Sequence, residues 1–415
     1  MPPKAKSKAA VGPPPMPPAP VPRQTYLVLD GPLGVGRVEA EQRVISIMSS
    51  LVFQRISDAI REGHLLLDLS ALGMQEAAPT PLPLWTSVLN LSNNLLRADA
   101  LSMLHSGVLP TLRSLSLAGC ALVGLMPQAL GALAATLEEL DLSRNRISSL
   151  PENLSGPLRA LRVLSLSQNA LQSLPADLFS PFGCGTALQR IDLRGNQLVT
   201  LPDSLCVCSR LESLLLSDNK LTCLPEGIGG LRTLRILDVS HNALTELPTD
   251  LARCESLELL DLTHNLLTIL PEPSISGLKR LCELRASSNK LVAAPEALGS
   301  LRALRILALA SNALSSLPST LGGCVSLEEL YIGNNVALSE LPENIGECTL
   351  LRFLDARSTK LKALPAGTEK WTNLALLDAT GKKKNTLKMS EDQARGLGAA
   401  RIVGATVVKA KAKKK

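Results

Sequence analysis

Aromatic residues are nearly missing: Phe, Trp and Tyr together make up 2% of a 415-residue chain in which hydrophobic residues make up 45%. A core built around large rings is therefore excluded, and aliphatic side chains must fill it in many small increments. No uninterrupted apolar run approaches the roughly 20 residues that a membrane-spanning helix needs. No N-terminal segment joins a basic start to an apolar stretch and a small-residue cleavage site, so neither secretion nor membrane insertion is expected. The nine cysteines include no CxxC pair, which argues for a reducing compartment and a cytoplasmic protein.

Acid is scarce at both ends. Residues 1–24 carry Lys4, Lys6, Lys8 and Arg23 with no acid, and residues 382–415 carry nine Lys and two Arg against Glu391 and Asp392, so the formal +6 belongs to the ends and residues 25–381 stand at −7. The first 24 residues are too rich in proline to bury a core and read as a disordered arm. The Lys-rich segments could hold nucleic acid or an acidic surface by charge alone. They lack the interleaved aromatics that sequence readout requires, and KAKAKKK at the end reads equally as a nuclear address.

What the chain has in abundance is repetition. LEELDLSRNRISSLP at Leu137 returns as LRVLSLSQNALQSLP, LQRIDLRGNQLVTLP, LESLLLSDNKLTCLP, LRILDVSHNALTELP and LELLDLTHNLLTILP, and then through LRFLDARSTKLKALP at Leu351. The asparagines from Asn145 to Asn335 recur every 23 or 24 residues except for one interval of 27, which places a small insertion around Ser180–Gly185. Weaker coils flank the block at Leu65, at Asn94, at Cys120 and at Leu374, giving about twelve to fourteen.

The alternation inside LxxLxLxxNxL is that of a strand, with both leucines of LxL on the buried side. Stacked coils then pair as parallel strands at ~4.8 Å while the return segments need more room, and the sheet curves inward. The asparagine leaves the strand at a turn, where its amide can donate and accept at once. The fold class is α/β: a solenoid with a parallel sheet on its concave face. Ahead of it, apolar residues at Val38, Val44, Ile45, Met48, Leu51, Val52, Ile56 and Ile60 recur near helical spacing and predict an amphipathic helix in an N-terminal cap. The expected organisation is an arm (1–24), a cap (25–64), a solenoid (65–381) and a Lys-rich tail (382–415).

The pattern LxxLxLxxNxLxxLP, from about Trp85 to Gly381, resembles the leucine-rich repeats of the Ras-suppressor and Scribble-like group. The stretch ESLELLDLTHNLLTILPEPSISGLKRLCELRASSNKL is similar to repeat-only intracellular proteins of this kind. That resemblance implies a leucine-rich repeat horseshoe that binds or scaffolds other proteins in signalling or complex assembly, without catalysis. Cys120 and Thr359 depart from it, standing where asparagine is expected, and an extra residue follows Asn335.

Side chains beside the inward leucines should line the concave face. Apolar groups there have no folding task, which makes Ile236, Leu259, Ile306, Tyr331 and Phe353 candidate anchors for a partner protein. Asp238, Asp261, His241, His264, Arg285 and Arg357 complete the candidate surface. The alternative is that β-favouring residues are simply shielded by neighbours. YLVLDGPLGVGRV has the look of a phosphate loop, but Arg37 and Val38 stand where a lysine and a hydroxyl are needed. His241 and His264 repeat in phase with no third ligand to form a metal site. Cys208, Cys254, Cys324 and Cys348 share one phase with Trp371 and read as a packing column on the return side, with Trp371 closing the far end. No cofactor, metal or catalytic set is expected, and the chain is expected to be a monomer. A rival reading makes it a ribonucleoprotein- or chromatin-associated factor held by its basic ends.

Overall fold

Alternating leucines make strands only three residues long, and the sheet is built from their number. The computed structural model describes residues 50–75, 82–96, 109–125, 136–152, 154, 158–381 and 387–408. The expected arm, residues 25–49 of the expected cap, residues 382–386 and the Lys-rich residues 409–415 lie outside the described residues. Fifteen parallel strands form one sheet, from Leu66–Asp68 to Arg401–Val403, each paired with that of the next coil. The register is strict: Leu237 lies opposite Leu214 on one side and Leu260 on the other. These inward leucines are fully buried. Truncating one, as in Leu237→Ala, removes contacts on three coils at once, at about 2–5 kcal/mol.

The asparagines tie coil to coil. The Asn265 Oδ1 accepts the N–H of Leu244 in the preceding coil at 2.9 Å. Its Nδ2 donates to Val239 O of that coil at 2.9 Å and to Leu262 O of its own at 3.0 Å. Val239 O also takes the amide of Asn242, and Leu262 O that of Asn289. Each carbonyl in this run is thus shared by two amides, and the chain of bonds continues through the central coils. Cys120 keeps part of it, its thiol lying 3.1 Å from Leu91 O. Thr359 reaches only Ala356 O of its own coil, at 2.7 Å.

The residue before each ladder position must turn the chain out of the strand, and it does so in the left-handed region. Arg144, Gln168, Asp218, His241, His264, Ser288, Ser311 and Asn334 have φ between 53° and 59°. Gly195 does the same at no steric penalty; an L residue there gives up roughly 1 kcal/mol.

The return side consists mostly of short 3-10 turns that begin after proline, such as Asp203–Val207 and Glu226–Gly230. Cys208, Cys254, Cys324 and Cys348 are fully buried there with Trp371. The thiols of Cys254 and Cys324 point at Ile228 O and Leu298 O of the preceding coils. Burial pushes all four cysteines up to about 12, so they act as small packing groups rather than nucleophiles. The 27-residue interval bulges on this side: Phe179 and Cys184 are buried, while Phe182 is 81% exposed.

The solenoid does not end at residue 381. Beyond the expected boundary, Leu387–Met389 forms a strand, Glu391–Gly396 a helix, and Arg401–Val403 the fifteenth strand of the sheet, paired with Leu376–Asp378. Ser390 and Gln393 make a capping box, and the Gln393 Nε2 donates to Leu364 O, Pro365 O and Thr368 Oγ1 of the previous coil. Buried Leu387, Met389 and Leu397 supply the contacts. Flanking lysines obscured this coil in the sequence, and Trp371 accordingly packs between coils instead of closing the end. At the other end residues 50–62 are helical. Val52, Ile56 and Ala59 join the core there, whereas Leu51 and Ile60 of the expected face are exposed.

Candidate protein-binding face

Two side chains of each strand, those flanking the inward leucine, rise from the strand face and form two columns across the sheet. The first runs Ile236, Leu259, Glu283, Ile306, Glu329, Phe353 in paired register. Ile236 and Leu259 are therefore neighbours, but Glu283 separates Ile306 from both, and Glu329 separates it from Phe353. Ile236 is 37% exposed; Leu259, Ile306, Tyr331 and Phe353 are half-buried, each sheltered by its column. Tyr331 and Phe353 stand in different columns and meet diagonally, ring centroids 4.9 Å apart and inclined at 40°. The Tyr331 Oη donates to Glu329 Oε2 at 2.7 Å. Burial, reinforced by that bond, pushes the phenol up to about 12, so it remains a donor at neutral pH.

The acidic members of the second column have work inside the chain. Asp238 Oδ1 accepts the N–H and hydroxyl of Ser240, and Asp261 Oδ1 accepts Thr263 N. Asp141, Asp192, Asp355 and Asp378 likewise accept the N–H two residues on, closing the turn after the strand. This role was not read from the sequence, although Asp at one phase followed two residues later by Ser, Thr or Arg signals it. Arg357 lays its fork on buried Asp355, Nε to Oδ1 at 2.9 Å and Nη2 to Oδ2 at 2.8 Å. Arg285 Nη2 holds Glu283 at 2.6 Å with Asp261 at 3.7 Å. His241 and His264 stack at 4.3 Å on the rim of the sheet. Among the described residues no group of three or more potential ligands gathers to hold a metal.

The N-terminal half of the same face is a hollow of about 640 Å³ that the sequence reading did not single out. Small polar side chains line it, among them Asn90, Ser116, Ser165, Ser167 and Ser217, with Arg194 paired to Asp192. Its signal was present as serine recurring beside and just after the strands. The face is thus bipartite: a polar trough over the first half and an apolar, aromatic ridge over the second.

Fold and repeat together define a leucine-rich repeat solenoid. The leucine rich repeat family pattern matches residues 110–171, 135–184, 186–244 and 232–291. Among solved structures, a leucine-rich repeat protein of Leptospira interrogans is similar at 26% identity and TM-score 0.63, covering 84% of this chain and 98% of that one. YopM, a leucine-rich effector protein from Yersinia pestis, is similar at 26% identity and TM-score 0.60, with coverage of 85% and 93%. The leucine-rich repeat ectodomain of the Arabidopsis receptor kinase HAESA, solved with a peptide hormone ligand, is similar at 26% identity and TM-score 0.54, over 77% of this chain and 62% of that one. No curated protein matches the sequence. No helix among the described residues is long and apolar enough to cross a membrane.

Proposed function

We propose that the chain is a non-enzymatic scaffold or adaptor that holds a partner protein on the strand face of its solenoid, in intracellular signalling or complex assembly. The observation that carries this reading is the ridge at Ile236, Leu259, Ile306, Tyr331 and Phe353. Scarce aromatic residues are spent in contact with each other on a face where the fold does not require them. The peptide held by the HAESA ectodomain is in keeping with a solenoid of this kind offering a binding surface. The repeat pattern's likeness to the Ras-suppressor and Scribble-like group supports a cytoplasmic setting. The buried cysteine column, its thiols pushed up to about 12, supports a packing role for those cysteines in place of thiol chemistry.

Affinity capture with wild type and with the Tyr331→Ala/Phe353→Ala pair, compared by mass spectrometry, tests the reading. A partner lost in the double variant while the unfolding midpoint stays put supports it. A partner retained by that variant but lost on deleting Lys409–Lys415 moves the binding to the basic end, as the ribonucleoprotein reading requires.

A further inference from the structure

Both halves of the face carry more acid than base, but only in the C-terminal half do carboxylates stand around an aromatic pair. In the N-terminal half Arg144, Arg190 and Arg194 stand among Asp68, Glu139, Asp141, Asp192 and Asp218. In the C-terminal half Asp238, Asp261, Glu283, Glu329, Asp355 and Asp378 rise from the strands, against Arg285, Arg357 and, on the last strand, Arg401. The Arg285 and Arg357 guanidiniums are already engaged, Arg285 by Glu283 and Asp261, Arg357 by Asp355 with Asp378 at 3.8 Å. Negative charge is left over on the ridge, and the Tyr331–Phe353 pair sits in the middle of it. The phenol donates to Glu329, which holds that carboxylate beside the ring.

We propose that the Tyr331–Phe353 pair and its flanking carboxylates are the seat for a cationic side chain, lysine or arginine, from an extended segment of the partner. The inference rests on the strand-face reading and specifies its chemistry. A purely apolar occupant would cover Glu329 with only the Tyr331 hydroxyl on it and Asp378 with its one guanidinium no nearer than 3.8 Å, which is costly for ionised groups. An acidic occupant would meet the carboxylates of Glu283, Glu329, Asp355 and Asp378 on either side of the aromatic pair. A cation is drawn by the ring electrons and the carboxylates together, and its N–H groups satisfy the oxygens that the internal pairs leave over.

Fluorescence anisotropy on the full chain tests this with a labelled decapeptide of alternating Lys and Gly, its Nε-acetylated form, and the Glu–Gly analogue. The lysine peptide should bind, with the acetylated and glutamate peptides weaker by about tenfold or more. Phe353→Leu keeps the bulk of the side chain and removes the π face, and should weaken the lysine peptide by about three- to tenfold with an unchanged unfolding midpoint. The pair Glu329→Gln/Asp378→Asn should weaken it further, and the pair Asp141→Asn/Asp192→Asn in the other half should leave it alone. Equal losses from the two carboxylate pairs would mean general charge attraction and overturn the proposal, as would an unaffected Phe353→Leu or no binding of the lysine peptide. If that peptide fails while a captured partner is still lost on Tyr331→Ala/Phe353→Ala, the strand face stands and the cationic seat falls.

Discussion

Replacing Asn265 by leucine tests the ladder where the structure allows the effect to be counted. Asn265 is 4% exposed, so water cannot stand in for its amide. The change removes three short bonds, but they are not equivalent. Val239 O and Leu262 O each keep the amide of a neighbouring ladder asparagine, Asn242 and Asn289. The Leu244 N–H loses the only acceptor the ladder offers it, and becomes one buried donor without a partner. One such orphan costs about 1–3 kcal/mol, and the two carbonyls add the smaller loss of a shared bond. Asn265→Asp should behave differently: it restores an acceptor for Leu244 N–H but faces two carbonyl oxygens with a carboxylate, so its deficit should shrink as pH falls and the acid protonates. Urea unfolding followed by circular dichroism reads the total, and amide hydrogen exchange at Leu244 reads the orphaned group. Because coils unfold with their neighbours, the exchange measurement is the more local of the two. An unchanged midpoint together with unchanged protection at Leu244 would refute the ladder's energetic role.

Other consequences follow from single contacts. Ser288→Gly relieves a left-handed φ of 56° and should raise stability by about 0.5–1 kcal/mol in thermal unfolding, less what glycine's looser unfolded chain takes back. The Glu296 carboxylate accepts Ser319 N and Thr320 N of the next coil, with Ser319 N the largest influence, and is held below its ordinary 4.5. Its contribution is therefore complete above the unfolded value and disappears as pH falls through the lower folded one; Glu296→Gln should lag wild type at neutral pH and converge with it in acid, as read by melting temperature against pH. A chain cut after Gly381 loses the last strand and the three bonds of Gln393, and should melt earlier than one cut after Val408. Lysine-tail experiments therefore require the later cut.

The repeat made most of the fold legible. A period of 23 or 24 residues with LxL at its centre placed the strands and the ladder, and the one long interval placed the bulge at Phe182. What escaped was whatever the repeat does not spell. The last coil replaces the leucine pattern with Leu387, Met389, Ile402 and a capping box, and its lysines looked like a tail. The helix at 50–62 was visible from its spacing, but the buried phase runs through Val52, Ile56 and Ala59, because alanine carries too little hydrophobic signal to mark a face. On the strand face, sequence gave the columns and could not give the pairing. Asp238 and Asp261 were nominated as contacts and turn out also to close turns, while Arg285 and Arg357 are drawn into internal ion pairs. The serine-lined trough escaped because small polar residues are the usual content of turns.

The most direct test of a partner held on the ridge is photo-crosslinking with a benzophenone side chain at Ile306, between Glu283 and Glu329 on the face, and in parallel at exposed Val292 on the flank. Crosslinks to the captured partner from position 306 and few from 292 are the predicted result. Crosslinks from 292 with none from 306 would contradict the account.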